Sequence, residues 1–343
     1  MRLTLNRPDD FHLHLRDGPA LADLVPPVAR RFARALVMPN LDPPVTTVEA
    51  AAAYRERIRA AIPAGVDFEP LMTLYLTGAT PPAEIDRARA SGFVHAVKLY
   101  PAGATTHSDR GVRDVEAVYP VFERMREAGM VLAIHGEVAD PDVDPYAREP
   151  RFVETVLAPL VERFPGLRIV LEHVSTRTAV DFVAQAGPDV AATITAHHLL
   201  CSRHEMFAGG LSPHHFCRPV LQTAEDRAAL TAAATGADPK FFLGSDSAPH
   251  PRRSKECARA AAGVYTGYAA LELYAEAFAR AGALERFEDF ASRRGAAFYG
   301  LPANAGSVTL EETAWEAPGE YPLGDDAVVP LRAGETLQFR LAS

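Results

Sequence analysis

Short apolar runs rich in β-branched residues recur along the chain, each bounded by polar residues or by Gly and Pro. They occupy 11–15, 35–38, 69–76, 93–100, 130–135, 168–174, 190–195 and 241–244. Runs of this length and make-up read as strands. Between most of them lie Ala-rich, charged segments of helical period, at 47–61, 81–90, 115–128, 150–164 and 223–234. Strand and helix in alternation predict parallel strands joined by crossover helices. Eight such units predict a closed (β/α)8 TIM barrel. Beyond the eighth run, 263–281 reads as a long helix and 284–294 as another. The tail, 306–343, has Pro and Gly punctuation and a strand-like piece at 336–341. No Gly- and Ser-rich linker and no internal repeat stands out. The expectation is one barrel domain over 1–343, with a C-terminal extension from about residue 304 packed on it.

Composition narrows the classes. The 343 residues suit one such barrel with extensions, and 48% apolar with 23% charged residues is ordinary for a globular protein. The net charge of −9 is diffuse, which argues against nucleic acid as a partner. No apolar run approaches the roughly 18 residues of a membrane span. The start, MRLTLNRPDDFHLHL, has no apolar core of a secretory signal, so a cytoplasmic protein is expected. Cys201, Cys217 and Cys257 are widely spaced and form no CxxC pair, which points to a reducing compartment and to buried or idle thiols.

Chemistry in a parallel barrel sits at the C-terminal ends of the strands. The polar residues predicted there are His12 and His14 on the first strand, Lys98 on the fourth, His135 on the fifth, His173 on the sixth and Asp246 after the eighth. Residues two apart on a strand share a face, so both imidazoles of His12-Leu13-His14 can reach one metal ion. His135 and His173, each taken alone, read as satisfied core histidines; with His12 and His14 they make four histidines at three strand ends, which points to a site. Asp246, in Ser-Asp-Ser-Ala-Pro, reads as a turn residue or as a metal ligand that doubles as a general base. Lys98 closes an apolar strand, where an ammonium is costly. It is either salt-bridged or carboxylated by carbon dioxide, and a carbamate there could bridge two metal ions. Arg16 follows the strand parity of His12 and His14 and can grip a carboxylate bidentately. Asn40 ends the second strand and can both donate and accept. Thr105 and Thr106 lie in a small, polar loop after the fourth strand, suited to a lid or to a plain connection. His197 and His198 are adjacent, so on a strand they face opposite sides and read as structural, as do His214 and His215.

As a set, these motifs resemble the dihydroorotases of the amidohydrolase superfamily, in their bacterial single-function type. The matching stretches are RPDDFHLHLRDG at 7–18, VMPNL at 37–41, PPVTT at 43–47, KLYPA at 98–102, IHGE at 134–137, LEH at 171–173, LGSDSAPH at 243–250 and FYGLP at 298–302. They run over almost the whole chain in order. The resemblance implies a barrel of the metal-dependent hydrolase type with two zinc ions per subunit and a homodimer. His12, His14 and Asp246 would bind one ion and His135 and His173 the other. N6-carboxylated Lys98 and a hydroxide would bridge them. The implied reaction is the reversible cyclisation of N-carbamoyl-L-aspartate to L-dihydroorotate plus water, a step of pyrimidine biosynthesis. The bridging hydroxide is the implied nucleophile and Asp246 the general base and acid. The resemblance assigns Arg16, Asn40 and His250 to the substrate carboxylate. Thr105 and Thr106 would grip the bound carbamoyl aspartate, and backbone groups at Arg218 and Ala262 would complete the contacts, with His14 and His135 beside them. Arg218 departs from the pattern, in which an apolar residue is usual, and the 255–263 segment has fewer cysteines than is usual. The rivals are another cyclic amidohydrolase, of hydantoinase or dihydropyrimidinase type, and a non-catalytic homologue. The six filled ligand positions argue against the latter.

Overall fold

The computed structural model describes residues 1–342. The first strand, β1 (Arg2–Asn6), lies outside the barrel. The barrel strands follow: β2 (Asp9–Leu13), β3 (Arg34–Val37), β4 (Glu69–Tyr75), β5 (Val94–Leu99), β6 (Val131–His135), β7 (Ile169–Glu172), β8 (Val190–Ile194) and β9 (Phe241–Leu243). They form one eight-stranded sheet in chain order, every neighbouring pair parallel. A parallel bridge between Leu13 and Ser247 closes it, with Asp246 N donating to His12 O at 2.8 Å and His14 N to Ser247 O at 3.1 Å. The Asp10 carboxylate locks the same seam, accepting from Ser245 N at 2.8 Å and from Ser245 Oγ at 2.5 Å. Burial pushes the pKa of Asp10 up to about 6 against these donors.

Both faces of the sheet are covered, which is why its strands read as apolar runs. Ala35, Val97, Leu132 and Leu171 pack outward against the helices. Leu36, Ala96, Ala133 and Val170 fill the interior with Phe11 and Phe242. The lower end is plugged by Phe11 stacked on Tyr299, with ring centroids 4.7 Å apart. Along β2 the register shifts between Asp10 and Leu13. This bulge puts Phe11 in the inner apolar layer while leaving His12, the next residue, in the polar layer above it.

Each expected strand is present, with ends shifted by one or two residues. The first ends at Leu13 rather than 15, so His14 and Arg16 lie beyond it. Arg16 therefore owes its direction to a turn, at φ +55°, rather than to strand parity. The expected helix at 263–281 starts only at Ala270. Val264 and Tyr265, between Gly263 and Gly267, instead bridge to Ser247 and Pro330. Ser247 Oγ accepts from the backbone N–H groups of Thr266 and Gly267 there. The helix expected at 150–164 begins at Arg148 and carries a π turn at Val153–Leu157, where Pro159 supplies no N–H to the preceding turn. Likewise 284–294 resolves into Leu284–Arg286 and a π turn at Asp289–Arg293, which runs into a helix at Arg294–Tyr299. A helix at Leu21–Arg31, absent from the sequence reading, tolerates Pro26 and Pro27 in its interior. After the barrel come β10 (Ser307–Glu316), β11 (Tyr321–Leu323), β12 (Asp326–Val328) and β13 (Thr336–Leu341), and β10 pairs antiparallel with both β1 and β13. Among the described residues no helix is long and apolar enough to cross a membrane.

Candidate metal centre and active site

Four imidazoles converge above the apolar layer from three strand ends: His12 and His14 at the end of β2, His135 at the end of β6 and His173 just after β7. His12 Nε2 lies 3.3 Å from His14 Nε2, and both nitrogens face Asp246 Oδ1, at 3.3 and 3.0 Å. His135 Nδ1 lies 3.2 Å from His173 Nε2. The outward nitrogens are held by protein acceptors. His12 Nδ1 is 2.8 Å from Glu172 Oε2, His14 Nδ1 is 2.8 Å from Asn40 Oδ1, and His135 Nε2 is 2.8 Å from Glu137 Oε2. An acceptor on the outward nitrogen keeps the proton there and leaves a lone pair on the inward one. Three inward lone pairs set in this way, all buried, fit the donor set of a metal centre. His12, His173 and Asp246 bring their ligand atoms within 4.8 Å of one another.

Local backbone strain serves this convergence. His173 and Asp246 take φ of +44° and +43°, a region that non-glycine residues occupy only when their surroundings impose it. Gly244 lets Thr193 and His12 approach the chain before Asp246, since a Cβ there would meet Thr193 at 2.7 Å and His12 Cβ at 3.0 Å. Burial works against the charge on Asp246, and His12 and His14 overcome it, holding its carboxyl well below the usual range. Burial lowers His14 to about 4, so that imidazole is neutral.

Lys98 is fully buried, and its Nζ has no hydrogen-bond partner. Burial pulls the ammonium down to about 8, while Glu172 and Asp246 oppose that shift. An amine with no partner, placed beside the metal-ligand set, fits a group completed by something else. The neutral amine is the form that carbon dioxide can carboxylate.

Above the imidazoles lies a small, tight pocket. Arg16, Asn40, Thr105, Thr106, Arg218 and Asp246 all line it, while His250 and Ala262 lie beside it. Arg16 donates from Nε to Pro249 O at 2.8 Å. His250 Nε2 is 2.9 Å from both Arg16 Nη2 and Ala262 O, and one tautomer serves one of these contacts at a time. Thr106 Oγ1 donates to Ala262 O at 3.4 Å, and Asn40 Nδ2 donates to Thr106 O at 3.4 Å, so the 103–108 loop lies across the opening. The guanidinium of Arg218 stands 3.8 Å from Glu137 Oε1, and neither Nη1 nor that oxygen has a hydrogen bond.

Sequence reasoning gave no role to Glu137, Glu172 or Thr193. Thr193 Oγ1 donates to Glu172 Oε2 at 2.6 Å and accepts from His173 N at 2.7 Å. For Glu172 and Thr193 the signal available was a polar residue inside an apolar strand run. His197 and His198 lie on a helix, Ala196–Leu200, rather than on a strand, because Thr195 caps it. Both are buried near Cys217. His198 spends its nitrogens on Thr195 Oγ1 and Pro219 O, at 2.8 and 3.1 Å, and burial raises the Cys217 thiol, which disfavours the thiolate a metal needs. His214 pairs with Glu256 at 2.9 Å and His215 with Ser212 Oγ at 2.7 Å. All three cysteines are free, Cys257 alone being exposed.

The model of the amidohydrolase family matches residues 10–315. The chain belongs to the amidohydrolase family. Among its relatives in that family, a dihydroorotase of Aromatoleum aromaticum is 62% identical over 340 residues, 99% of each chain. A crystal structure of the Campylobacter jejuni dihydroorotase superposes with a TM-score of 0.91 at 36% identity, covering 100% of this chain and 98% of that one. The dihydroorotase of Saccharomyces cerevisiae, crystallised with 5-fluoroorotic acid, gives 0.91 at 33% identity over 99% and 98%. This amidohydrolase barrel thus carries its converging imidazoles at the strand ends and a guanidinium at the pocket above them.

Proposed function

We propose that this chain is a metal-dependent dihydroorotase, interconverting N-carbamoyl-L-aspartate and L-dihydroorotate plus water. The observation that carries the reading is the polarity of the imidazoles, whose outward nitrogens are tied to Glu172, Asn40 and Glu137 while the inward ones of His12 and His14 face Asp246 and that of His135 faces His173. His12, His14 and Asp246 would hold one zinc ion and His135 and His173 a second, with carboxylated Lys98 shared between them. Such a pair, when bound, supplies a water of lowered pKa and a Lewis acid for the ring carbonyl.

The chain's own groups do the rest. Asp246 takes up the proton of the incoming water and gives it to the ring nitrogen that leaves; in cyclisation it works in reverse. Arg16, with Asn40 and His250, holds the substrate carboxylate in a fork that fixes the ring. Thr105 and Thr106 close over it, and the backbone at Arg218 and Ala262 receives the ring's amide edge. The high identity to dihydroorotases over the full length supports this substrate, as does a guanidinium in the pocket, which a ring without a carboxylate does not require. We further infer a single barrel domain with its extension, a homodimer and a cytoplasmic location.

The test is hydrolysis of L-dihydroorotate by purified zinc-replete protein, beside a chelated sample and Asp246→Ala. Turnover lost in both controls is expected. A protein that binds two metals per chain and leaves dihydroorotate untouched would overturn the reading, and hydantoins and dihydropyrimidines would then be screened.

A further inference from the structure

Lys255 ends the short helix Arg252–Lys255 and is buried, yet it forms no salt bridge among the described residues. Its ammonium protons go to three main-chain carbonyls instead: Phe216 O at 2.8 Å, Ala261 O at 2.9 Å and Gly263 O at 2.7 Å. These carbonyls belong to two segments far apart in the chain. One leads into Arg218 and the other contains Ala262 and Gly263, so each builds part of the pocket wall. Gly263 N donates to Phe216 O at 3.0 Å and ties the same two segments directly.

A buried ammonium facing no carboxylate is a costly way to fill space. What it provides is a three-way tie that no other side chain supplies from one atom, because lysine alone carries three donors on a single tetrahedral nitrogen. The tie has little slack on its far side. A Cβ on Gly263 would meet Ala248 O at 2.5 Å and His250 Cδ2 at 2.8 Å, so the 263 wall already presses on the turn that carries His250.

We propose that Lys255 is a positioning residue for substrate. It locks the two backbone walls at 216–218 and 261–263 in register, and thereby sets affinity for the ring without touching it. The proposal rests on the reading of this pocket as the dihydroorotate site. The imidazoles and Asp246 are carried by other strand ends, so loosening these walls acts on binding before it acts on chemistry.

The test compares L-dihydroorotate hydrolysis by wild type, Lys255→Met and Lys255→Arg, with Lys255→Gln held as a third variant, and with metal content and thermal unfolding measured on each. A planar guanidinium cannot reproduce the tetrahedral tie, so both lysine variants are expected to raise KM by about tenfold or more, with kcat within about threefold. Metal content stays at the wild-type value. A folded lysine variant with unchanged KM, losing only thermal stability or kcat, would overturn the role. If neither lysine variant folds, Lys255→Gln decides, because its amide nitrogen keeps two of the three donors on one atom: a raised KM supports the role and an unchanged one overturns it. Wild-type protein without dihydroorotate turnover defeats the functional reading itself, whereas active wild type with variants of unchanged KM defeats only the part given to Lys255.

Discussion

Glu172 Oε2 sits 2.8 Å from His12 Nδ1, with both side chains buried. The same oxygen accepts from Thr193 Oγ1, which in turn accepts from the backbone of His173. One carboxylate thus orients an imidazole of the first pair and, through a hydroxyl, braces the turn that presents an imidazole of the second. Glu172→Ala removes the acceptor that fixes the His12 tautomer and frees the ring to rotate. Metal affinity is expected to fall about 10- to 100-fold. Competition against a chelator of known affinity measures this, and Thr193→Val, which keeps the His12–Glu172 contact, should cost less. Equal affinity in Glu172→Ala and wild type would show that the carboxylate orients nothing.

Lys98 gives the second prediction. Carboxylation joins the neutral amine nitrogen to the carbon of carbon dioxide and releases one proton. Burial and the missing partner of Nζ favour the neutral amine that this step consumes. Metal-free protein reconstituted with zinc in buffer stripped of carbon dioxide should regain activity slowly, and bicarbonate should speed the recovery. Protein reconstituted with 13C-bicarbonate should show a carbamate carbon resonance that Lys98→Ala lacks. A Lys98→Ala protein with full metal content and activity would sink the assignment.

The chain's patterning showed the barrel because parallel strands covered on both faces must be apolar throughout, and it showed the site because polar residues at the ends of such strands have few other reasons to be there. His135 and His173 follow that rule directly. What stayed hidden depends on distance across the barrel or on local exceptions. The Glu172–Thr193 contact joins two strands, and neither residue advertises the other in sequence. The bulge between Asp10 and Leu13 shifts parity within one strand, so simple alternation misplaces Phe11. The Leu21–Arg31 helix hides behind Pro26 and Pro27, and the 263–269 segment looks helical only until its two glycines and β-branched residues are weighed against its alanines.

His198 carries a pH prediction. Its ring is buried and doubly hydrogen-bonded in the neutral form, and burial lowers its pKa to about 4. The unfolded chain takes up this proton near the ordinary value of about 6.5, before the folded chain does. Stability is therefore fully present above about pH 6.5 and is lost as pH falls toward 4. At pH 5 this one group costs on the order of 2 kcal/mol, less any relaxation of the site. Urea unfolding of metal-free protein at pH 7.5 and 5.0 should show the loss. His198→Gln, which can still donate to Pro219 O, should show a smaller one. Identical pH dependence in the two proteins would place the acid sensitivity elsewhere.

Arg16 tests the substrate reading at the side-chain level. Its Nε is spent on Pro249 O and one Nη lies beside His250, so the guanidinium is held from two sides while still lining the pocket. A lysine at this position keeps the charge but loses the planar fork and both fixed contacts. With a carboxylate-bearing ring, Arg16→Lys should raise KM about 10- to 100-fold, the cost of one or two charge-assisted hydrogen bonds. Metal content should not change, since Arg16 sits on the substrate side of His14. The discriminating comparison is a ring of the same size without the carboxylate. The variant should lose little or nothing on that ring, whose binding never used the fork. An equal loss on both rings would mean that Arg16 shapes the pocket rather than recognises the acid, and the preference for dihydroorotate over other cyclic amides would then have to come from the threonine loop.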